Sequence, residues 1–234
     1  ADASGNTVYV GGANAGVWKS SNAGSLSPSA ASVIWTPVLD YEATLAVGAI
    51  AIQPSGNTDP TQSVILVGTG EPNSSADSYY GLGILRSTDG GASWTQIASS
   101  ADGHSFAGLG FAKIAFSTSN PPLVVAAAAA AAEGITLGLE APGALNRGIY
   151  YSQDGGATWR YASIKDGAST VSPGSVTSVV YNALAGKFFA AVRYHGIYSS
   201  SDGIIWTRLA NANQPGTGLN STNCPSIATN PPTC

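Results

Sequence analysis

The sequence predicts an all-β protein, a β-propeller of four-stranded antiparallel blades, and three observations carry that expectation. A turn block, Ser87-Thr88-Asp89-Gly90-Gly91-Ala92-Ser93-Trp94, recurs as Ser152-Gln153-Asp154-Gly155-Gly156-Ala157-Thr158-Trp159, and a block returning within a longer pattern marks a structural repeat. A Gly and a short apolar run precede each copy, with further β-rich runs upstream. Of 234 residues 44% are hydrophobic and only 9% charged, with 29 Gly and 13 Pro; such a composition suits many short strands joined by turns and argues against disorder.

The turn block has its own physical logic. In Ser-x-Asp-Gly-Gly the carboxylate can accept backbone N–H groups that follow it, the glycines supply positive φ, and the Trp returns to the sheet as an apolar anchor. A third copy, Ser200-Ser201-Asp202-Gly203-Ile204-Ile205-Trp206, is shorter, and a degenerate one begins at Ser20-Ser21-Asn22-Ala23-Gly24 and reaches Trp35 after a Ser/Ala-rich insertion. The structural set is therefore Ser87, Asp89, Gly91 and Trp94, then Ser152, Asp154, Gly156 and Trp159, then Ser200, Asp202 and Trp206.

The strands A to D of each unit follow in order. Strand A is read at Ala49–Ile52, Lys113–Phe116 and Ser178–Tyr181, and strand B at Val8–Val10, Val64–Val67, Val124–Val125 and Phe188–Val192. Strand C is read at Gly16–Lys19, Gly83–Arg86, Gly148–Tyr151 and Gly196–Ser199, and strand D carries each Trp. Four strands in roughly 45 to 65 residues is the size of a propeller blade. Ala126–Ala132 could be a helix, but it continues strand B and is read as a buried strand leading into a loop. The expected blades are 1–43, lacking its strand A, 44–104, 105–172 and 173–214, and 215–234 starts a further blade or closes the ring. Pro225–Pro231 reads as that extra strand A, flanked by Cys224 and Cys234, which in an oxidising compartment would pair; two free thiols, or pairing with another chain, is the alternative.

A net charge of −4 without a basic run excludes ordinary nucleic-acid binding. The longest apolar stretch, Leu123–Ala132, is too short to cross a bilayer as a helix. No phosphate loop, nucleophile elbow or His/Cys ligand spacing occurs, so no cofactor and no metal are expected. One carboxylate per turn block is too few for calcium.

The pattern Ser-x-Asp-x-Gly-x-x-Trp, matched throughout by the copies at 87–94 and 152–159, resembles the Asp-box or BNR repeat of sialidases, xyloglucanase-like glycosidases and sortilin-type receptor domains. The resemblance covers nearly the whole chain. It implies a secreted, extracellular or periplasmic propeller, usually of six or more blades, so this chain is expected to be a segment completed by further blades from another segment or chain. It implies recognition of a glycan or polysaccharide, glycosidase-like if an enzyme; the alternative is a non-catalytic protein-interaction propeller of sortilin type. The sialidase arginine triad is missing, because Arg86, Arg160 and Arg208 adjoin the turn blocks and only Arg147 and Arg193 reach the opposite loops. The xyloglucanase-like pair is incomplete, since the loop Gly11–Gly16 offers no acid.

Topology places the turn blocks on one face and the B–C and D–A loops on the other. That second face receives Asp40-Tyr41-Glu42, the loop from Gly70 to Gly81, the segment from Glu133 to Arg147, Asp102-Gly103-His104, Lys165-Asp166 and Arg193-Tyr194-His195. Glu71 and Asp77 on one loop beside Tyr79 and Tyr80 suit sugar hydroxyls and ring stacking, and paired carboxylates are what glycoside hydrolysis uses. Ligand candidates are Glu42, Glu71, Asp77, Tyr79, Tyr80, Arg193, Tyr194 and His195, with Glu71 and Asp77 the catalytic candidates. The competing reading is that both acids fix their own loop. His104 and His195 are read as solvated or supporting groups.

Overall fold

The computed structural model describes residues 5–24, 32–54, 59–73, 75–118, 122–140, 145–172, 174–193 and 195–209. Tyr194, Cys224, Cys234 and the expected strand at Pro225–Pro231 lie outside the described residues. The protein is all-β, with four sheets, antiparallel apart from one added parallel pairing, following one another along the chain. The first holds β1 (Val8–Gly11), β2 (Val17–Ser20) and β3 (Thr36–Leu39); the second holds β4 (Val47–Ile52), β5 (Ile65–Thr69), β6 (Ile84–Ser87) and β7 (Thr95–Ile97). The third holds β8 (Leu109–Phe116), β9 (Val124–Ala130), β10 (Gly148–Ser152) and β11 (Arg160–Tyr161). The fourth holds β14 (Val176–Asn182), β15 (Lys187–Val192), β16 (Gly196–Ser200) and β17 (Ile205–Arg208), with β12 (Ser163–Asp166) and β13 (Ser169–Val171) added at its edge.

That added pair corrects the sequence reading, which put Lys165 and Asp166 in a loop. After β11 the chain leaves the third sheet: Ala162 N–H still donates to Ile149, whereas Ser163 N–H donates to Ile204. β12 then runs parallel to β17 and turns back through Gly167, at φ +60°, into β13. Burial of Ile164 between the third and fourth sheets favours this strand over a solvated loop.

The apolar side chains form three layers between consecutive sheets. Val17 and Leu39 meet Ile65, Val67 and Leu85; Leu66 and Ile84 meet Phe111 and Ile114; Val125 and Ile149 meet Val176, Val179 and Phe188. In β9, Ala126 and Ala128 join the middle layer, Val125 and Ala127 the last. A strand buried on both faces needs small side chains where neighbouring sheets come close. Beyond β9 the chain forms a short helix, α1 (Ala132–Thr136), where the sequence suggested loop.

Each turn block closes by the same bonds. Ser87 Oγ donates to Asp89 Oδ1 at 2.8 Å, Gly91 N–H donates to Ser87 Oγ at 2.8 Å, and the N–H groups of Ala92 and Ser93 donate to Asp89 Oδ1. Asp154 receives Ser152, Ala157 and Thr158 in the same way, and Asp202 receives Ser200, Ile204 and Ile205. Asn22 fills the role in the degenerate block, accepting from Ser20 Oγ and Ile34 N–H. The tryptophans diverge: Trp159 and Trp206 are fully buried, donating to Gly156 and Gly203, while Trp94 is half-buried and donates to Val38 of the first sheet. Trp35 is 39% exposed.

The blocks also fasten consecutive sheets together. Lys19 Nζ and Tyr9 Oη donate to the Gly90 carbonyl at 2.9 and 2.8 Å, and Arg86 Nε donates to Gly155 at 3.0 Å. Lys19 and Arg86 hold the same register position, immediately before the serine of their own block. A Cβ on Gly156 would lie 2.6 Å from Leu66 Cδ2, so glycine there permits the close approach.

Candidate functional site

The B–C loop of the second sheet is built before it can bind anything. Glu71 exchanges two bonds with Tyr79: its N–H donates to the Tyr79 carbonyl and its Oε2 accepts the Tyr79 N–H, both at 2.9 Å. Ser75 Oγ donates to Asp77, holding that exposed carboxyl below the usual range. Ser78 Oγ donates to Asn73 and to Ser75 O. Beneath the loop, Gly110 of β8 leaves room for it, since a Cβ there would lie 2.8 Å from the Glu71 carbonyl carbon and from Pro72 N. The two expected catalytic carboxylates are thus engaged in fixing their own loop. Asp77 is shifted towards its ionised form, and one oxygen of Glu71 accepts an amide N–H.

Neighbouring loops tie onto this one. Glu133 of α1 accepts the Tyr80 N–H on Oε2 at 3.3 Å and donates its own N–H to Ser78 O at 3.3 Å. From the first sheet's D–A loop, Thr44 Oγ1 donates to the Tyr80 carbonyl at 3.2 Å. That bond ties the segment carrying Tyr41 and Glu42 to the loop carrying Tyr79 and Tyr80. Tyr41 is 96% exposed and Tyr79 44%, whereas Tyr80 and Glu42 are half-buried. Glu42 and Thr44 line a small pocket of about 10 Å³ together with Thr69, Leu82, Leu85 and Gln96.

Arg193 and His195 stand elsewhere, on the β15–β16 turn of the fourth sheet, where His195 N–H donates to Val192 O. Burial and the Arg208 charge push His195 below its ordinary value, against the pull of Asp166. Arg208 and Asp166 form an ion pair at 2.9 Å that joins β17 to β12. Beneath them the Tyr198 hydroxyl is buried with no hydrogen-bond partner among the described residues, and burial, with the Asp166 charge, pushes it up to about 12.

A third cluster was not foreseen. Ser100-Ala101-Asp102-Gly103 repeats the Ser-x-Asp-Gly turn on the opposite face: Ser100 Oγ donates to Asp102 Oδ1, and His104 N–H donates to Ser100 Oγ at 3.0 Å. Asp102 Oδ2 accepts the Tyr161 N–H at 2.8 Å, and His104 stacks on the Tyr161 ring with centroids 4.4 Å apart. Burial would raise the Asp102 carboxyl, but bonds from Ser100 and Tyr161 overcome it and hold it low. Next to it, Arg147 grips Glu140 through Nε and Nη2, the carboxylate being almost wholly buried. The repeated Ser-x-Asp-Gly string was the signal that could have found the first of these; nothing local pairs Glu140 with Arg147. Among the described residues no three His, Cys, Asp or Glu gather as a metal site.

No protein-family model matches the chain, and no curated protein does. Among solved structures it is similar to the GH74 xyloglucanase from Xanthomonas campestris, with a TM-score of 0.53 and 17% identity over 87% of this chain and 28% of that one. A GH74 enzyme from Niastella koreensis aligns with a TM-score of 0.39 and 14% identity over 86% of this chain and 36% of that one, too distant to carry an argument. At such identity the likeness establishes the fold, a β-propeller arrangement shared with a glycoside hydrolase. The chain spans little more than a quarter of the xyloglucanase chain.

Proposed function

We propose that this propeller is a glycan-recognition module, acting outside the cytoplasm, whose ligand lies across the B–C and D–A loops of the first two sheets. The observation that carries the reading is Tyr41, almost fully exposed on a segment tied to the loop of Tyr79. Two accessible rings with one half-buried carboxylate, Glu42, match what a neutral sugar needs: flat apolar faces for its C–H side and an acceptor for its hydroxyls. Glu71, Asp77 and Glu133 act as the frame that holds the rings in place. Hydrolysis would need a second, uncommitted carboxylate placed across the sugar from Glu42. The low charge of the chain and the Asp-box resemblance support the extracytoplasmic setting.

The test is a glycan array with the intact chain, followed by calorimetry on any hit. Tyr41→Ala and Tyr79→Ala should each weaken binding about tenfold, the worth of one stacked ring, with melting temperature unchanged. A parent that binds no glycan, or variants that bind like the parent, would refute the assignment. A second reading, recognition of a protein, is favoured by Ile135, Leu137, Leu139 and Leu145, four exposed aliphatics on the segment between β9 and β10. An apolar cluster of that kind suits a protein surface better than a sugar.

A further inference from the structure

We propose that the outer faces of the first and fourth sheets bind each other between copies of this chain, head to tail. Each sheet has a face towards the sheet before it and one towards the sheet after it, and register identifies equivalent positions. In the second sheet the backward face is Ile65, Val67 and Leu85, with Val67 opposite Leu85 and Ile65 opposite Ser87, all fully buried under the first sheet. In the first sheet the same positions are Val8, Val10 and Trp18, with Val10 opposite Trp18 and Val8 opposite Ser20. There Val10 is 47% and Trp18 38% exposed.

The forward face behaves alike. In the third sheet it comprises Val125, Ala127 and Ile149, with Ala127 opposite Ile149, and it is fully buried under the fourth sheet. In the fourth sheet the equivalents are Phe189, Ala191 and Ile197, with Ala191 opposite Ile197, and they are only half-buried; Val180, opposite Phe189, is 50% exposed. A small residue recurs at one forward position of every sheet: Gly11, Gly68, Ala127 and Ala191. Val47 and Phe111 of the following sheets lie against Gly11 and Gly68. Ala191 keeps the corresponding slot on the last sheet, open to a bulky side chain.

One chain therefore carries both halves of the contact that its own sheets make three times. Among the described residues the two halves do not meet as principal neighbours: those of β1 are β2 and β4, and those of the fourth sheet belong to the third. A second copy supplies a backward face to the free forward face and the reverse, by the packing already in use. Such a contact is heterologous, so two copies close a ring if the rotation permits and otherwise form a longer series.

The experiment is sedimentation velocity and light scattering on the 234-residue chain across its accessible concentration range. The parent should associate, and Trp18→Glu or Ile197→Glu should each raise the dissociation constant by about 30-fold or more, as loss of a central apolar anchor does. Mixing the two variants should restore a one-to-one pair, because each retains the face the other has lost. Circular dichroism and melting check that both are folded, and Trp18→Ser and Ile197→Ser replace any variant that is not. A parent that stays a single copy throughout, an association indifferent to both substitutions, or a mixture that fails to pair would overturn the proposal.

Discussion

Trp159→Ala should cost about 4 kcal/mol, and Trp94→Ala about half of that, although the two tryptophans occupy matching places in matching sequence blocks. Trp159 is 1% exposed and lies in the layer formed with Phe106, Phe111 and Tyr150. Burying about 200 Å² of indole at about 25 cal/mol per Å² gives about 5 kcal/mol, reduced to about 3–4 because the unfolded chain already hides some of that surface. Losing the Nε1–H donor to the Gly156 carbonyl at 3.1 Å adds about 1 kcal/mol. Trp94 is half-buried, so its transfer term is about half as large, and its donor reaches across to Val38 O at 2.7 Å in the first sheet. Urea titrations followed by circular dichroism measure both differences, and about 4 kcal/mol corresponds to about 8–16 °C in melting temperature for a chain of this size. The reasoning fails if Trp159→Ala unfolds within about 1 kcal/mol of the parent, or if Trp94→Ala costs as much as Trp159→Ala.

Acid should unfold the protein through its turn blocks. Bonds led by the one from Ser93 lower Asp89 from 3.8 to about 2 in the folded state, so its contribution is complete above pH 3.8 and lost as pH falls towards 2. Asp154 and Asp202 are also held low, by hydrogen bonds that outweigh burial; a denaturation midpoint that stays constant between pH 4 and about 2 would contradict this. Arg147→Met should destabilise by about 2–3 kcal/mol, since it strands the buried Glu140 carboxylate while Arg147 itself is partly solvated. Arg147→Met with Glu140→Gln should recover part of that loss in the same urea titration, and a double variant as unstable as the single would show that the ion pair is not the cause.

Local chemistry wrote the turn blocks into the sequence. Ser, Asp, Gly and Trp at fixed offsets satisfy one another within a single turn, so Ser87 and Asp89 are legible without their surroundings. Strands such as β5 and β9 were also readable, because each is a largely apolar run that only a sheet covered on both sides can bury. Burial of the tryptophans was not legible: the same residue type ends in a closed layer at Trp159 and at a half-open edge at Trp94, according to how much of the preceding sheet lies over it. Nor was the site. Glu71 and Asp77 could be read either as ligand groups or as braces of their own loop, because a sequence shows a carboxylate but not the amide and hydroxyl donors that close around it once the loop folds. Pairings between residues distant along the chain, Tyr80 with Glu133 or Arg208 with Asp166, depend on how sheets stack and on β12 crossing from one to the next. The sequence determined the repeat, whose bonds are local; the tertiary structure decided which side chains remain available to a ligand, because availability is what is left after every long-range contact has been made.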